Sequence, residues 1–425
     1  MSAAGLSLYR AAATALKPAA RWLLNRRARA GKEDPDRLTE RLGQAGLPRP
    51  EGRLIWLHAA SVGESQMALT VAEALLAQHS NAHVLITSGT LTSANLIARR
   101  GLDRLIHQFP PVDAPDWVSA FLDHWRPDLA VFTESELWPN LILAAKARGV
   151  PLALMNARMN QKSLDGWARW PQSARTLLGA FDWIGAADQR TADGLSKLTG
   201  QPITNAGNLK LECGLPAPDP ETLTEGQALI GDRPVFVAAS THAGEETLIA
   251  NAHAALLKDQ PDALMILVPR HPERASEVAD ILNAAGLSFA QRSKGETPQS
   301  VQVWLADTLG EMALWYALCP VAVIAGSFMD GIGGHNPIEA SRAGASVVTG
   351  PYVDSFADVY AVYDAHDARS VAHTADEVAT QIRQGWSDGG RMIENARAAL
   401  DALPGGALPL TLSHLNRLLD QGPKG

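Results

Sequence analysis

Cysteine is scarce in this sequence, and short metal-binding motifs are missing from it. Only two cysteines, Cys213 and Cys319, occur among 425 residues, and they lie far apart. This spacing indicates neither a disulfide framework nor a cysteine-based zinc site, and it favours a reducing, cytoplasmic setting. The sequence also has no H-E-x-x-H and no cysteine/histidine quartet. We therefore expect a protein that works without a bound metal.

The sequence also lacks a net positive charge and long apolar runs. The formal net charge is −8, which argues against nucleic acid as a partner, because binding phosphate backbones needs a broad basic surface. We find no run of 18 apolar residues and no h-region of a secretory signal, so neither a membrane-spanning helix nor an exported protein is expected.

The N-terminal segment, residues 1–45, is where charge becomes uneven. Residues 1–32 contain seven Lys or Arg and no acidic residue. At helical spacing Arg10, Lys17 and Arg21 share one face and leucines and alanines share the other, which predicts a basic amphipathic helix. Such a helix either lies on an anionic membrane surface or docks on the body of its own protein, and both alternatives stay open at this stage.

Short apolar runs alternate with helical patterns in two series, one from Leu54 and one after Leu215. Strands separated by helices form parallel sheets. The sequence therefore predicts an α/β protein with two Rossmann-like, doubly wound domains that face each other across a cleft. We place these domains at residues 46–212 and 225–400. A linker rich in Pro, Gly and Asp covers 213–224, and a helical tail covers 401–425.

The stretch LHAASVGESQ, Leu57–Gln66, contains an acidic residue with two interpretations. In the first, Ser61 caps a helix and Glu64, three residues on, folds back to the N–H of the cap. In the second, Glu64 is a catalytic carboxylate at the carboxyl end of a strand, where open α/β sheets bind their ligands.

Two further carboxylates, Glu134 and Glu136, follow the apolar run L-A-V-F. Acids within about 6 Å of each other can divide acid and base roles, although this spacing also allows both to point into water. Lys210 follows the last predicted strand of the first domain. A lone lysine is usually a solvated charge, but beside an anionic substrate it would neutralise developing negative charge.

The glycine-rich turn GSFMDGIGGHNPIEA, Gly326–Ala340, leads from an apolar strand into a helix. Free N–H groups at such a helix start suit a phosphate. Its spacing differs from G-x-G-x-x-G and from the Walker motif, so nicotinamide dehydrogenases and P-loop enzymes are disfavoured. Asn336, Pro337 and Glu339 also make a good structural helix start, so Glu339 either completes a cap or grips ribose hydroxyls.

Three other turns of the second domain could bind an anion. Arg270 and His271 follow the run L-M-I-L, and a guanidinium there suits phosphate or carboxylate, although an arginine at a surface is usually just solvated. The segments 240–246 and 307–312 also follow strands, and a helix cap is the default interpretation of each. For the segment 307–312, the two interpretations are a helix cap formed by Thr308 and a loop that covers a bound nucleotide.

These motifs, taken in order, resemble those of the 3-deoxy-D-manno-oct-2-ulosonic acid (Kdo) transferases of lipopolysaccharide synthesis. The resemblance runs from residue 37 to beyond residue 350. The motifs that carry it are H-A-A-S-V-G-E, T-E-S-E-L-W-P-N, N-A-R-M, G-N-L-K, S-T-H-A-G-E-E, L-V-P-R-H-P-E-R, D-T-L-G-E-M and G-G-H-N-P-I-E-A.

This resemblance implies a GT-B glycosyltransferase that takes Kdo from CMP-Kdo and places it on a lipid A precursor, with inversion and with no metal or cofactor. It implies work at the cytoplasmic face of the inner membrane. The N-terminal segment is less hydrophobic than the anchor common in that family, so we expect peripheral attachment.

The resemblance also assigns roles residue by residue. It implies that Glu64 is the general base and that Glu134 and Lys210 support the transition state. The residues that it places in contact with CMP are Pro269, Arg270, Gly310, Glu311, Met312, Asn336, Pro337, Ile338 and Glu339.

Two alternatives to this function remain. The first is a GT-B transferase or sugar-nucleotide epimerase that uses a uridine donor, which CMP and UDP binding would separate. The second is a two-domain small-molecule binding protein, which would usually carry an export signal and would not need a carboxylate poised at the cleft.

Overall fold

The computed structural model describes residues 4–214, 218–403 and 405–422. It contains two compact units: unit 1 is formed by the described parts of residues 1–213 and 404–425, and unit 2 by those of 214–403. Each unit contains a seven-stranded sheet in which neighbouring strands run parallel. The prediction of two doubly wound α/β domains is confirmed.

In unit 1 the strand order is β3-β2-β1-β4-β5-β6-β7. From β1 the chain adds strands first toward one side of the sheet and then, from β4 on, toward the other. Doubly wound sheets bind ligands at such a reversal of strand order, here between β1 and β4. The elements are α1 (Ala4–Ala15), α2 (Lys17–Arg29), β1 (Arg53–Ala59), α3 (Val62–Gln78), β2 (Ala82–Ser88), α4 (Leu91–Arg99), β3 (Leu105–Gln108), α5 (Pro115–Trp125), β4 (Leu129–Thr133), α6 (Pro139–Ala147), β5 (Leu152–Ala157), α7 (Gln161–Ala168), α8 (Pro171–Leu178), β6 (Trp183–Ala186), α9 (Gln189–Thr199) and β7 (Thr204–Asn205).

Unit 2 repeats this plan with the order β10-β11-β9-β8-β12-β13-β14, so its winding reverses between β8 and β12. The elements are α10 (Pro220–Ile230), β8 (Val235–Thr241), α11 (Glu245–Leu256), β9 (Leu264–Pro269), α12 (Ala275–Ala284), β10 (Phe289–Gln291), β11 (Val303–Leu305), α13 (Met312–Leu318), β12 (Val321–Ile324), α14 (Ile338–Arg342), β13 (Ser346–Thr349), α15 (Ala357–Ala365), β14 (Arg369–Val371) and α16 (Ala375–Ala402).

The central strands are apolar on both faces because helices cover both sides of the sheet. In β1, Ile55 and Leu57 enter one core of unit 1, whereas Leu54 and Trp56 enter the other. Successive side chains of a strand point to opposite faces, so this one apolar run supplies two cores. The same burial on both faces fixes the carboxyl end of β1 in place.

Three short strands, β3, β10 and β14, fall outside the apolar runs from which strands were predicted. All three lie at an outer edge of their sheet and are only partly buried. An edge strand packs on one neighbour alone, so its sequence carries a weaker apolar signal than that of a central strand.

The segment predicted as a linker is partly helical. Residues 215–217 lie outside the described residues, but α10 begins at Pro220. Asp219 caps this helix by accepting a hydrogen bond from the N–H of Thr222 at 2.9 Å. A capping acid followed by proline is a strong local helix start, and it outweighs the composition typical of a linker.

The last helix, α17 (Ala407–Gln421), packs on unit 1. Its buried residues Leu412, Leu415 and Leu419 join the core formed by α3 and one face of β1. The Glu212 carboxylate accepts hydrogen bonds from the N–H groups of Ala407 and Leu408 at 2.6 and 3.1 Å. These bonds satisfy two donors that a helix start leaves open.

The basic helix predicted at the N-terminus consists of two helices, α1 and α2, that meet at Leu16. Pro18 lies in the first turn of α2, where its missing N–H costs least. The segment contacts its own unit: the Tyr9 hydroxyl donates to Asp113 at 3.0 Å, and Lys17 pairs with Asp116 at 2.5 Å. No helix among the described residues is long and apolar enough to cross a membrane.

One buried glutamate joins the two central strands of unit 2. Glu245 is fully buried, and its carboxylate accepts three backbone N–H bonds, from His242 at 3.0 Å, Gly326 at 2.8 Å and Phe328 at 3.0 Å. The first donor follows β8 and the other two follow β12. Because buried donors without partners are costly, this carboxylate fixes both turns.

We expect Glu245→Ala to destabilise unit 2 by about 3 kcal/mol or more, because it leaves three buried donors without an acceptor. Hydrogen exchange of amides in β8 and β12 measures the loss. Glu225→Ala, on an exposed position of α10, is the matched control and should change the value by less than about 0.5 kcal/mol. Equal protection in both variants would contradict this role.

Candidate active site

The turn after β1 holds Glu64 in one orientation. Ser61 caps α3, since its hydroxyl oxygen accepts from the N–H of Glu64 at 3.3 Å. The same hydroxyl donates to Oε1 of Glu64 at 2.7 Å. The other oxygen, Oε2, accepts from the N–H of Ala60 at 3.0 Å. The carboxylate therefore folds back onto the turn. Its backbone donor is the N–H of Ala60, the residue before the cap, and not the N–H of Ser61.

A second set of contacts connects Glu64 to the neighbouring strand. The Thr133 hydroxyl, at the end of β4, lies 2.6 Å from Oε2 of Glu64 and 3.0 Å from the carbonyl oxygen of His58. Because β1 and β4 are the strands between which the winding reverses, Glu64 lies at the predicted ligand edge. The residue keeps 6% of its surface exposed.

Glu134 and Lys210, both predicted site residues, form an ion pair beside this turn. Nζ of Lys210 lies 2.5 Å from Oε1 of Glu134, and both side chains are partly exposed. Nζ also lies 3.8 Å from the position that a Cβ on Gly63 would occupy. The structure thus brings Glu64, Glu134 and Lys210 together on unit 1.

Two left-handed backbone positions shape this edge of the sheet. Glu134 has φ +49° and Asn156 has φ +53°, a conformation uncommon for residues other than glycine. The Asn156 side chain accepts from the N–H of Leu209 at 2.8 Å and its amide lies 3.4 Å from Oε1 of Glu134. One amide side chain therefore positions both Glu134 and the turn that carries Lys210.

Glu136 belongs to the same cluster, although its sequence pattern did not distinguish it from an exposed acid. The indole N–H of Trp138 donates to its carboxylate at 2.6 Å. Burial raises the pKa of Glu136 against the lowering effect of this bond, and repulsion from Glu64 and Glu134 raises it further.

His58, the buried neighbour of Glu136, stays neutral. Nε2 of its ring lies 3.9 Å from Oε2 of Glu136, and burial lowers the pKa of His58 to about 3. Nδ1 contacts the Thr87 hydroxyl at 2.9 Å. A neutral imidazole offers no charge to offset the three carboxylates nearby, whereas Lys210 brings a positive charge to the cluster through its ion pair with Glu134.

In unit 2, the predicted CMP-binding residues follow the carboxyl ends of three parallel strands, β9, β11 and β12. Pro269 ends β9 and Arg270 comes next, exposed, with its N–H donating to the carbonyl oxygen of Thr241 at 2.9 Å. The charge of Arg270 contributes to lowering the pKa of both His242 and His335, although burial is the larger cause for each.

Gly310, Glu311 and Met312 lie in the turn between β11 and α13. Gly310 has φ +87°, a backbone conformation that suits glycine. Glu311 is held by Arg292 at 2.9 Å and by a short contact from the Thr308 hydroxyl. Thr308 thus bonds a side chain here and does not cap α13.

Asn336, Pro337, Ile338 and Glu339 form the start of α14. The Asn336 side chain accepts from the N–H of Ile338 at 3.1 Å, but Pro337 and not Asn336 holds the cap position, so the helix starts one residue later than the cap interpretation places it. The helix is only five residues long, so its dipole is weak and an anion would bind mainly through individual N–H groups. Glu339 is partly exposed and lies near Tyr316.

Several residues that shape these edges were not among the predicted site residues. In unit 1 these residues are Thr133, Asn156 and His58, which contact the predicted carboxylates or their neighbours. In unit 2 they are His242 and His335, which lie together. Each contact joins residues that are distant in sequence, so no local spacing signals it.

The fold is that of the GT-B class, two parallel-sheet α/β domains in one chain. A glycosyltransferase from Rickettsia africae is similar over 87% of this chain and 99% of its own, with a TM-score of 0.59 and 13% identity. The UDP-GlcNAc 2-epimerase from Neisseria meningitidis is similar over 86% of this chain and 100% of its own, with a TM-score of 0.58 and 14% identity. At such low identities the likeness shows the fold alone.

Sequence comparison narrows this class to one family. Residues 36–213 match the family model described as 3-Deoxy-D-manno-octulosonic-acid transferase (kdotransferase). The 3-deoxy-D-manno-octulosonic acid transferase of Bordetella pertussis is 35% identical over 412 residues, 90% of this chain and 94% of that protein. A probable mitochondrial transferase of Arabidopsis thaliana, described in the same words, is 36% identical over 82% of this chain and 80% of its own. The chain belongs to the Kdo transferase family, and it is a glycosyltransferase.

We expect Glu136→Gln to stabilise unit 1 near neutral pH, because Gln keeps an acceptor for Trp138 and removes the repulsion from Glu64 and Glu134. A carboxyl group with a raised pKa in the folded state destabilises that state as pH rises through this pKa. The gain should therefore be largest at about pH 7 and vanish below about pH 3, where the acid is protonated in both states. Hydrogen exchange in β1 and β4 measures it.

The control for this experiment is Glu51→Gln, an exposed glutamate that precedes β1. It should leave protection unchanged at both pH values. A loss of stability in Glu136→Gln at neutral pH would mean that the ionised carboxylate is needed for the fold.

Proposed function

We propose that this protein transfers Kdo from CMP-Kdo to the glucosamine disaccharide of a lipid A precursor, with inversion at the sugar carbon and with no metal or cofactor. Membership of the family supports the identity of the sugar. The observation that carries the proposal is the placement of Glu64 between β1 and β4, beside the Glu134–Lys210 ion pair.

Glu64 acts as the general base of this reaction. An acceptor hydroxyl is a poor nucleophile until a carboxylate takes its proton as the bond to the sugar forms. The three donors around Glu64 fix its orientation. An ionised carboxylate has about four acceptor positions, which leaves room for the acceptor hydroxyl.

Glu134 and Lys210 support the transition state. Positive charge grows on the sugar as its bond to phosphate breaks, and a nearby carboxylate stabilises that charge. The Glu134–Lys210 contact of 2.5 Å keeps both groups in one geometry. Lys210 also offsets the accumulated negative charge of Glu64, Glu134 and Glu136.

Unit 2 binds CMP-Kdo through the turns after β8, β9, β11 and β12. Arg270 is exposed and suited to a phosphate or a carboxylate, and the residues 310–312 and 336–339 lie at the same edge of the sheet. These cationic and N–H groups take the part that a metal ion plays in other transferases.

The experiment that tests this function is mass spectrometry of the product formed from CMP-Kdo and a lipid A precursor. We expect a mass increase of one or more Kdo residues, unaffected by a metal chelator. UDP-sugars should give no product, and turnover of a UDP-sugar instead would overturn the donor assignment.

In the same assay Glu64→Gln should lower the transfer rate at least about 100-fold, as expected for loss of a general base. It should leave CMP affinity unchanged, because the donor site lies on unit 2. Glu51→Gln is the matched control and should retain the full rate. Near-normal turnover by Glu64→Gln would remove Glu64 from the role of base.

We also propose that α1 and α2 attach the protein to the cytoplasmic face of the inner membrane, peripherally. Support comes from apolar side chains that stay exposed although the segment contacts unit 1: Leu8 at 71%, Leu16 at 60% and Trp22 at 62%. Basic residues, including Arg10 and Arg26, are exposed on the same segment. Exposed apolar groups beside basic ones bind anionic lipid surfaces.

Flotation with vesicles of phosphatidylglycerol and phosphatidylethanolamine tests this attachment. We expect Trp22→Ser to reduce vesicle binding several-fold. Added salt should weaken the binding of both the wild type and this variant, because it screens the basic residues. Leu309→Ser, at a position 57% exposed in unit 2, should bind like the wild type. Equal binding of the Trp22 and Leu309 variants would contradict a role for α2.

A further inference from the structure

Two histidines that are 93 positions apart in sequence meet in unit 2. His242 follows β8, and His335 lies in the glycine-rich turn after β12. Their Nε2 atoms are 2.9 Å apart, and their rings are nearly parallel, at 19° with centroids 5.1 Å apart. The pair lies at the reversal point of the sheet, where doubly wound folds bind ligands.

Backbone contacts hold both rings in place. The N–H of His242 donates to the buried carboxylate of Glu245 at 3.0 Å, and the hydroxyl of Tyr360 donates to the carbonyl oxygen of His335 at 2.7 Å. A Cβ on Gly326 would lie 2.9 Å from the His335 ring, so only glycine leaves room for this ring. The short contact between the rings is therefore built into the fold.

A hydrogen bond between two neutral imidazoles has one proton between the facing nitrogens. Its position depends on what the outer nitrogens contact. Ser240 bonds the His335 ring through its backbone, an interaction that favours a proton on that ring. Ser240 has φ +59° and lies where the pairing of β8 with β9 shifts register. Such a bulge redirects the backbone locally.

We propose that His335 keeps its proton on Nδ1, toward the carbonyl oxygen of Ser240, and accepts a hydrogen bond from Nε2–H of His242. Nδ1 of His242 is then the atom that takes up a proton and donates to a phosphate oxygen of the donor. This inference rests on the proposed function, since it assigns His242 to the CMP phosphate.

The charges around His242 are consistent with proton uptake on binding. Glu245 and Glu246 on α11 favour the charged ring, whereas Arg270 and His271 after β9 oppose it. Burial lowers the pKa of His242 in the free protein, and His271 and Arg270 add to this lowering. A bound phosphate next to Nδ1 adds negative charge, which raises this pKa.

The positively charged ring would also assist bond breaking. As the bond between the sugar carbon and the phosphate oxygen breaks, its electron pair stays on the oxygen. Nδ1–H of His242 donates a hydrogen bond to that phosphate, so the new charge meets a cation that is already oriented. His335 acts only through His242 and is a positioning residue.

Calorimetry of CMP binding in buffers with different ionisation enthalpies tests the proposal, since it counts the protons taken up. We expect net uptake by the wild type, and affinity that falls by up to about tenfold for each pH unit above neutrality. His242→Asn keeps a donor near the Nδ1 position but cannot be protonated, so uptake and pH dependence should disappear. His335→Gln retains an amide that faces His242. We expect this variant to keep neither the wild-type pKa of His242 nor the full affinity for CMP.

The matched control is His373→Asn, an exposed imidazole of unit 2 that precedes α16. It should keep the proton uptake. Uptake that survives in His242→Asn, or that His373→Asn abolishes, would overturn the assignment.

Nitrogen NMR of the histidine rings in the nucleotide-free protein tests the tautomers directly. A proton on Nε2 of His335 would overturn the proposed arrangement. Absence of CMP binding by the wild type would instead refute the proposed donor, whereas CMP binding without proton uptake would refute this inference alone.

Discussion

A single glutamate connects the two central strands at the reversal point of each sheet. In unit 1 the carboxylate of Glu64 accepts from the backbone after β1 and from Thr133 at the end of β4. In unit 2 Glu245 accepts from the backbone after β8 and after β12. Parallel strands leave their last donors unpaired at this edge, so a carboxylate there fixes both turns at once.

The two glutamates differ in exposure, and this difference separates structure from chemistry. Glu245 is fully buried, whereas Glu64 keeps 6% of its surface exposed. A fully enclosed carboxylate can only hold the fold. One that reaches the surface can hold the fold and still meet a substrate, so capping and catalysis are compatible at Glu64.

The sequence predicts the central strands well because burial on both faces requires continuous apolar runs. It predicts Glu64 at a strand end for the same reason, since the end of the run marks the end of β1. The edge strands β3, β10 and β14 escape prediction because they are short and half-buried. Local spacing also misses the break at Leu16, although Pro18 lies two residues on.

Contacts between side chains of different strands cannot be predicted from local sequence patterns. Thr133 meets Glu64 only because β1 pairs with β4, and His335 meets His242 only because β12 pairs with β8. Each pairing joins segments that are distant in sequence, so their side chains carry no shared pattern. The positions of Glu136 and Asn156 depend on the same non-local geometry.

The chain completes unit 1 with its last helix. Leu412, Leu415 and Leu419 of α17 cover the core that α3 shares with β1, and Glu212 holds the start of that helix. Ribosomes make proteins from the N-terminus, and domains generally fold in that order. Here all of unit 2 is synthesised before α17 emerges. The ligand edge of unit 1 therefore gains its full apolar support only after unit 2 has been made, which links the folding of the two units through the order of their synthesis.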